Sequence, residues 1–170
     1  VIIEAGRWLN DNSNKNISLI LVGDGPEKSN LIQLSNKLNL KNIIFENPVP
    51  KSHVFKKLLS SDALIFHLQD IDVFKYGISS NKLWDYMASK KPVIFACNST
   101  NNPVHDAKCG ITVPPEDPVA LAKAVIRLHE LSCDERDRMG QSGLDYVLKY
   151  HNYDLLTKKY NKLISEVLNK

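Results

Sequence analysis

The sequence predicts an α/β fold built on a Rossmann-like, doubly wound parallel sheet. Short β-branched or apolar runs recur along its 170 residues, helical patterns separate most of them, and Gly- or Pro-containing turns join one to the next. Such alternation implies right-handed crossovers and a sheet covered on both faces. The strand runs are 18–22, 42–45, 63–67, 92–96 and 111–113, and the helical patterns between them are 26–38, 52–60 and 81–89. The opening stretch, Val1 to Leu9, reads as the middle of an amphipathic helix without a cap, so the chain is expected to be a piece of a longer polypeptide. After the last strand, Asp117 and Pro118 supply an N-cap and an N1 signal for a helix reaching about Leu131. Further helices are expected over 134–150 and 154–168. In the last of these, Leu155, Leu156, Tyr160, Leu163, Ile164, Val167 and Leu168 recur at helical spacing opposite Lys158, Lys159 and Lys162, a stripe suited to core packing or, less readily, to a membrane surface. Residues 1–150 are thus expected to form one unit, with 151–170 as a C-terminal amphipathic helix belonging to it.

The most informative segment is Tyr76 to Ala96, where a small-residue turn, an amphipathic helix and a buried strand follow one another. Ser79, Ser80 and Asn81 are placed to cap the helix. Its free first-turn amides and positive dipole end favour an anion, and Lys82 adds a full charge there. At about 100° per residue, Lys82, Asp85, Tyr86 and Ser89 share one face while Leu83 and Met87 form an apolar stripe. A cation and a carboxylate one turn apart suit a nucleoside diphosphate: the amides and Lys82 for the phosphates, Asp85 for two ribose hydroxyls. On residue types alone, a surface ion pair is the readier description.

Two other strand-to-helix junctions should meet this segment at the carboxyl edge of the sheet. In Val22-Gly23-Asp24-Gly25-Pro26, Gly23 and Gly25 allow positive φ or close approach of backbone to a ligand, although Gly-x-Gly also makes ordinary turns. In Phe45-Glu46-Asn47-Pro48-Val49-Pro50, the prolines hold the chain extended, forming a strip against which a planar base can lie.

The totals exclude several functions. The chain is 43% apolar and 24% charged with a formal net charge of +3, ordinary values for a globular unit. The paired lysines at 56–57, 90–91 and 158–159 lack interleaved aromatics, which argues against nucleic acid. Cys97, Cys109 and Cys133 show no paired spacing and read as reduced thiols of a cytoplasmic protein. The five histidines have no partner at metal-ligand spacing, so no metal is expected, and no run of about 20 apolar residues is present.

Taken together, Val22 to Pro26, Asn81 to Ser89, Lys91 to Ile94 and Gly110-Ile111-Thr112-Val113-Pro114-Pro115-Glu116-Asp117-Pro118 resemble the C-terminal, nucleotide-sugar-binding half of a GT-B glycosyltransferase. The likeness is to the large retaining family that builds bacterial capsules and O-antigens (glycosyl transferases group 1, family 4), especially its WbuB-like amino-sugar transferases. It implies a donor site at Gly23, Gly25, Asn47, Pro48, Gly77, Ile78, Ser79, Ser80, Asn81, Lys82 and Asp85. It also implies a UDP-sugar donor without a metal or other cofactor, and a saccharide or lipid-linked acceptor. The partner would be an N-terminal acceptor domain, and the setting the cytoplasm, with peripheral contact at the inner membrane face.

Two departures from the family pattern stand out. The family carries a pair of glutamates about two helical turns apart; the second falls on Asp85 and the first on Gly77, leaving the sugar-contacting and catalytic roles unassigned. The family also has a first, central strand before the helix that begins here at Val1. Its absence implies a gap in the sheet, to be filled by swapping or assembly with another copy, or else left as exposed edges that aggregate. Other functions compatible with the same architecture are a UDP-sugar epimerase and a noncatalytic nucleotide-binding or assembly domain. The isolated chain is expected to bind donor weakly and turn over nothing.

Overall fold

The computed structural model describes residues 1–13 and 15–168. The elements run α1 (Ile2–Asn12), β1 (Leu19–Val22), α2 (Lys28–Lys37), β2 (Ile43–Glu46), α3 (Lys51–Leu59), β3 (Leu64–His67), α4 (Asn81–Ala88), β4 (Val93–Ala96), α5 (Pro103–Asp106), β5 (Gly110–Val113), α6 (Pro118–Glu130), α7 (Cys133–Tyr150) and α8 (Tyr153–Leu168). Every expected strand and helix is present, with ends displaced by at most a few residues. Two short elements were not anticipated: a 3-10 turn over Asp72–Tyr76, and α5, which Asn102 caps by accepting from the His105 amide at 3.0 Å.

The strands form two parallel ladders. β1 pairs β2 in the register Leu19 to Ile43 through Val22 to Glu46. β4 lies between β3 and β5, with Val93 opposite both Leu64 and Gly110. Among the described residues no ladder joins β1 to β3, so the sheet is interrupted as the resemblance implied.

β4 unites the halves because it is buried from end to end. Ile94 and Ala96 enter a core shared with Ile3, Ala5 and Leu9 of α1, Leu19, Ile43, and Leu121, Ala122 and Leu128 of α6. Val93 and Phe95 enter the opposite core with Phe66, Leu83, Met87, Val104 and Cys109, where the Phe66 and Phe95 rings stack 5.6 Å apart. This two-sided burial is what a continuous apolar run in a parallel strand encodes. β1 and β2 fare differently: Ile20, Val22 and Ile44 are 40–44% exposed because their face beside the interruption has little over it.

The capping signals for α6 are met, with the Asp117 carboxylate accepting from the Ala120 amide at 2.8 Å and Pro118 in the first turn. α7 opens with a reciprocal capping box between Ser132 and Glu135. The Ser132 hydroxyl and amide bonds hold the Glu135 carboxyl below its usual range.

α8 requires a correction. Within this chain the apolar stripe is not packed into the core: none of its residues is buried, and Tyr160, Leu163, Val167 and Leu168 are all exposed. Periodicity identifies a helix with two faces, but nothing in it supplies a surface for the apolar one. Asn169 and Lys170 of the expected tail lie outside the described residues. No described helix is long and apolar enough to cross a membrane.

α7 lies directly on the turn between α4 and β4. A Cβ at Gly140 would fall 1.9 Å from the Lys90 carbonyl oxygen, and one at Gly143 would fall 3.2 Å from the Met87 carbonyl oxygen. Since that obstruction is backbone, Gly140→Ala should destabilise the fold by about 1–3 kcal/mol through overpacking. Urea denaturation of the two proteins measures this, and an unchanged midpoint would show that α7 sits away from the turn.

Candidate functional site

The sequence-predicted residues lie on three loops at the carboxyl ends of β1, β2 and β3 and on the start of α4. Each loop is fixed by identifiable bonds. Gly23 has φ +144°, a region that L side chains rarely adopt, so its glycine is required by conformation. Gly25 is not among the positive-φ residues; its amide donates to the carboxylate of the adjacent Asp24 at 2.9 Å. Lys28, the first residue of α2, donates from Nζ to the Gly23 carbonyl at 2.8 Å, to the Glu46 carbonyl at 3.1 Å and to Asn47 Oδ1 at 3.4 Å. One lysine thus ties the Gly23 loop to the Asn47-Pro48 loop. Lys57 reinforces the second with an ion pair to Glu46 at 2.7 Å.

The turn before α4 is held by Asn101, from the loop after β4. Its Oδ1 accepts from the Ile78 amide at 2.7 Å and from Ser99 Oγ at 2.8 Å, while its Nδ2 donates to the Ile78 carbonyl at 2.8 Å. Ile78 itself is buried, so its amide and side chain serve the turn. Gly77 precedes it at φ +109°, and a Cβ there would stand 3.2 Å from Asn101 Oδ1. A glutamate at this position would therefore meet both backbone strain and the clamp.

α4 begins at Asn81 with Ser80 as N-cap, but no side-chain cap forms, contrary to the capping expected of Ser79, Ser80 and Asn81. The Leu83 and Trp84 amides bond to the Ser80 carbonyl at 3.0 and 3.3 Å, leaving those of Asn81 and Lys82 without a backbone partner among the described residues. Lys82 and Asp85 are exposed, and among the described ion pairs they do not join each other. Leu83 and Met87 are fully buried, as the stripe predicts. The face drawn through Lys82, Asp85, Tyr86 and Ser89 is less uniform than the helical wheel implies. Ser89 is 0% exposed, its hydroxyl donating to the Tyr86 carbonyl at 2.7 Å, and burial followed by the Asp85 charge raises the Tyr86 phenol above its usual range.

A cleft of about 1060 Å³ runs between β1 and β3, and Gly23, Pro48, Lys82, Asp85 and Tyr86 line one end of it. The structure therefore brings Gly23, Pro48, Lys82 and Asp85 together on one lining. Gly25, Asn47, Gly77, Ile78, Ser79, Ser80 and Asn81 stand on the neighbouring loops but do not line it. Among the described residues no three His, Cys, Asp or Glu side chains converge as metal ligands. The buried thiols are poor nucleophiles at neutral pH: burial raises Cys97 and pushes Cys109 up to about 12.

Sequence reasoning missed the roles of Lys28 and Asn101. The signal for Asn101 lay in the polar run Asn98 to Asn102, residue types that bond backbone in turns. Lys28 had only its place after a Gly-Asp-Gly-Pro turn.

The domain is a Rossmann-like half with the exposed Lys82 and Asp85 beyond the carboxyl ends of its strands, the edge at which open α/β sheets hold their ligands. The model of the glycosyl transferases group 1 family matches residues 1–130, and the chain belongs to that family. No curated protein is a significant sequence match to it. Among solved structures, it is similar to sucrose-phosphate synthase from Thermosynechococcus elongatus, with a TM-score of 0.78 and 19% identity over 99% of this chain and 42% of that one. HepE of Anabaena, in complex with UDP-glucose, gives a TM-score of 0.75 and 15% identity over 97% and 44% of the two chains. TarM of S. aureus, in a complex containing UDP, gives 0.73 and 15% over 95% and 31%. The chain thus spans less than half the length of each of these proteins, and at these identities the likeness concerns the fold, that of a GT-B C-terminal domain.

Behind α4, Trp84 stacks on His151 with ring centroids 3.7 Å apart, and Tyr146 lies beside them. Burial and then Lys159 lower the His151 pKa below its usual 6.5. The unfolded chain therefore binds this proton more readily, so the contribution of His151 to stability is present above about pH 6.5 and is lost as pH falls through the lower folded value. His151→Phe, which retains a ring against Trp84, should lose less stability than the parent between pH 7.5 and pH 5; parallel urea titrations at the two pH values measure the difference. Asn101→Ala should destabilise by about 1–3 kcal/mol, because it leaves both polar groups of the buried Ile78 unpaired. The same titrations at pH 7.5 check it.

Proposed function

We propose that this chain is the nucleotide-sugar donor half of a retaining glycosyltransferase, with UDP-sugar as donor. The observation that carries the reading is the convergence of Gly23, Pro48, Lys82 and Asp85 on one cleft end, in a member of the glycosyl transferases group 1 family. In this reading the Asn81 and Lys82 amides and the Lys82 ammonium take the diphosphate, and the Asp85 carboxylate accepts from the ribose hydroxyls. The Asn47-Pro48 loop, braced by Lys28, offers its backbone to the base. Fixed amides and a lysine aimed at the departing diphosphate stabilise its charge without a metal. The presence of UDP-glucose and UDP in the HepE and TarM structures supports the choice of uridine. The intact enzyme would pass the sugar to a saccharide or lipid-linked acceptor held by an N-terminal domain. Retention of configuration, a role in capsule or O-antigen assembly, WbuB-like specificity and work at the cytoplasmic membrane face follow from the family resemblance.

Gly77 favours a second reading, a noncatalytic nucleotide-binding domain. Its φ of +109° and the Asn101 clamp disfavour a carboxylate where the family places one.

Calorimetric titration with UDP, UDP-sugars and GDP tests the donor site. Lys82→Ala and Asp85→Ala should each weaken UDP binding by about tenfold or more, the loss expected for one charge-assisted hydrogen bond. Unchanged affinity in both variants would remove the assignment.

A further inference from the structure

We propose that the outer edge of β5 is a docking site for an extended acidic peptide segment of a partner protein, which adds to the sheet as a further strand and sets its carboxylates against Lys108, Arg127 and Arg138.

β5 ends its ladder, with β4 on one side and no strand on the other among the described residues. In a parallel ladder the N–H and C=O of one residue point to the same side, and successive residues alternate sides. The Val93 amide bonds to the Cys109 carbonyl at 3.0 Å, in the register that sets Val93 opposite Gly110. Cys109 and Ile111 therefore face β4, while the backbone groups of Gly110 and Thr112 face outward and have no hydrogen-bond partner among the described residues. Both residues line a groove of about 720 Å³, walled by the end of α6 and the amino-terminal part of α7. An added strand would bond to these two residues, and those main-chain bonds would fix its register.

The charge of the groove selects the occupant. Lys108 stands on the turn between α5 and β5, Arg127 in the last turn of α6 and Arg138 on α7; all three are exposed, and none forms an ion pair among the described residues. The carboxylate in the lining, that of Glu135, is already engaged by the Ser132 amide and hydroxyl at 2.9 and 2.7 Å. His105, also in the lining, has Asp106 at 3.6 Å from its Nδ1, so the charge comes from the other three. Cations beside an open edge repel a second copy of the same edge and admit a strand of opposite sign. They also divide between the faces of the sheet. α6 packs on the face that holds Ile94, and α5, from which the chain reaches Lys108, on the face that holds Val93. Side chains of a strand alternate between faces, so carboxylates at adjacent positions rather than alternate ones reach both Arg127 and Lys108. The groove lies at the amino end of β5, whereas Lys82 and Asp85 lie beyond the carboxyl ends of the strands. The proposal therefore does not rest on the donor reading, and its test contains no nucleotide.

The probe is a capped, fluorophore-labelled peptide with a central valine flanked on each side by two glutamates, added to the full chain. Anisotropy measures its affinity and NMR follows amide exchange. At saturation, exchange at Gly110 and Thr112 should slow by about tenfold or more, whereas Ile111, already bonded to β4, should change little. Arg127→Glu and Arg138→Glu, both at exposed positions, should each weaken binding by about tenfold, while Lys158→Glu on α8 should leave it unchanged. The same peptide N-methylated at every glutamate keeps its charge and loses its main-chain donors, and should bind about tenfold more weakly. No binding at millimolar peptide would overturn the proposal. So would equal binding of the N-methylated peptide, or binding that leaves exchange at Gly110 and Thr112 unchanged, since the cations would then attract charge without adding a strand. Tripolyphosphate binding as tightly as the peptide would overturn it too, by making the groove a site for small polyanions.

Discussion

The arrangement depends on the burial of β4 from both sides. Alternate residues of this one strand enter two separate cores, so the helices α1 and α6 and the helices α4, α5 and α7 are all referenced to the same four residues. The direction of β4 also fixes that of β3 and β5, and hence which edge collects the carboxyl ends. The loops after β1, β2 and β3 share an edge for that reason. Their sequence motifs specify local geometry, whereas their convergence is a property of parallel pairing.

On that edge the loops are braced by groups remote in sequence. Lys28 joins two loops through three acceptors, and Asn101 holds both polar groups of Ile78. The consequence is a division of labour between residues that shape the backbone and residues whose side chains stay exposed. Gly77 and Ile78 belong to the first group, while Lys82 and Asp85, exposed and not paired to each other, belong to the second. Such preorganisation lowers the conformational cost of binding.

Local signals made much of this legible. The apolar run at 92–96, the Asp117-Pro118 helix start and the Leu83/Met87 stripe each encode their own environment, and each lies where its pattern places it. Gly23 was readable because a strand-to-helix turn often needs positive φ. What could not be read involved a partner distant along the chain: the Asn101 clamp on Ile78 and the reach of Lys28 to Asn47 are contacts between loops. The helical wheel erred at Ser89 because that residue is the C-cap of α4, where the chain turns into the core. The stripe on α8 misled for a related reason, since periodicity describes a face and leaves its cover unspecified.

The contact of α7 with the Lys90 turn has a mechanical meaning. Most helices rest on their neighbours through side chains that can change rotamer and absorb a small displacement. At Gly140 the helix lies against the Lys90 carbonyl with no side chain of its own between them, and at Gly143 it lies close to the Met87 carbonyl. A stiff joint of this kind has no cushion. A push along α7 therefore passes to α4 as a rigid shift, carrying Lys82 and Asp85 with it. The end of the site nearest the helix start is in this sense a lever, and its fulcrum is a carbonyl group rather than a side chain.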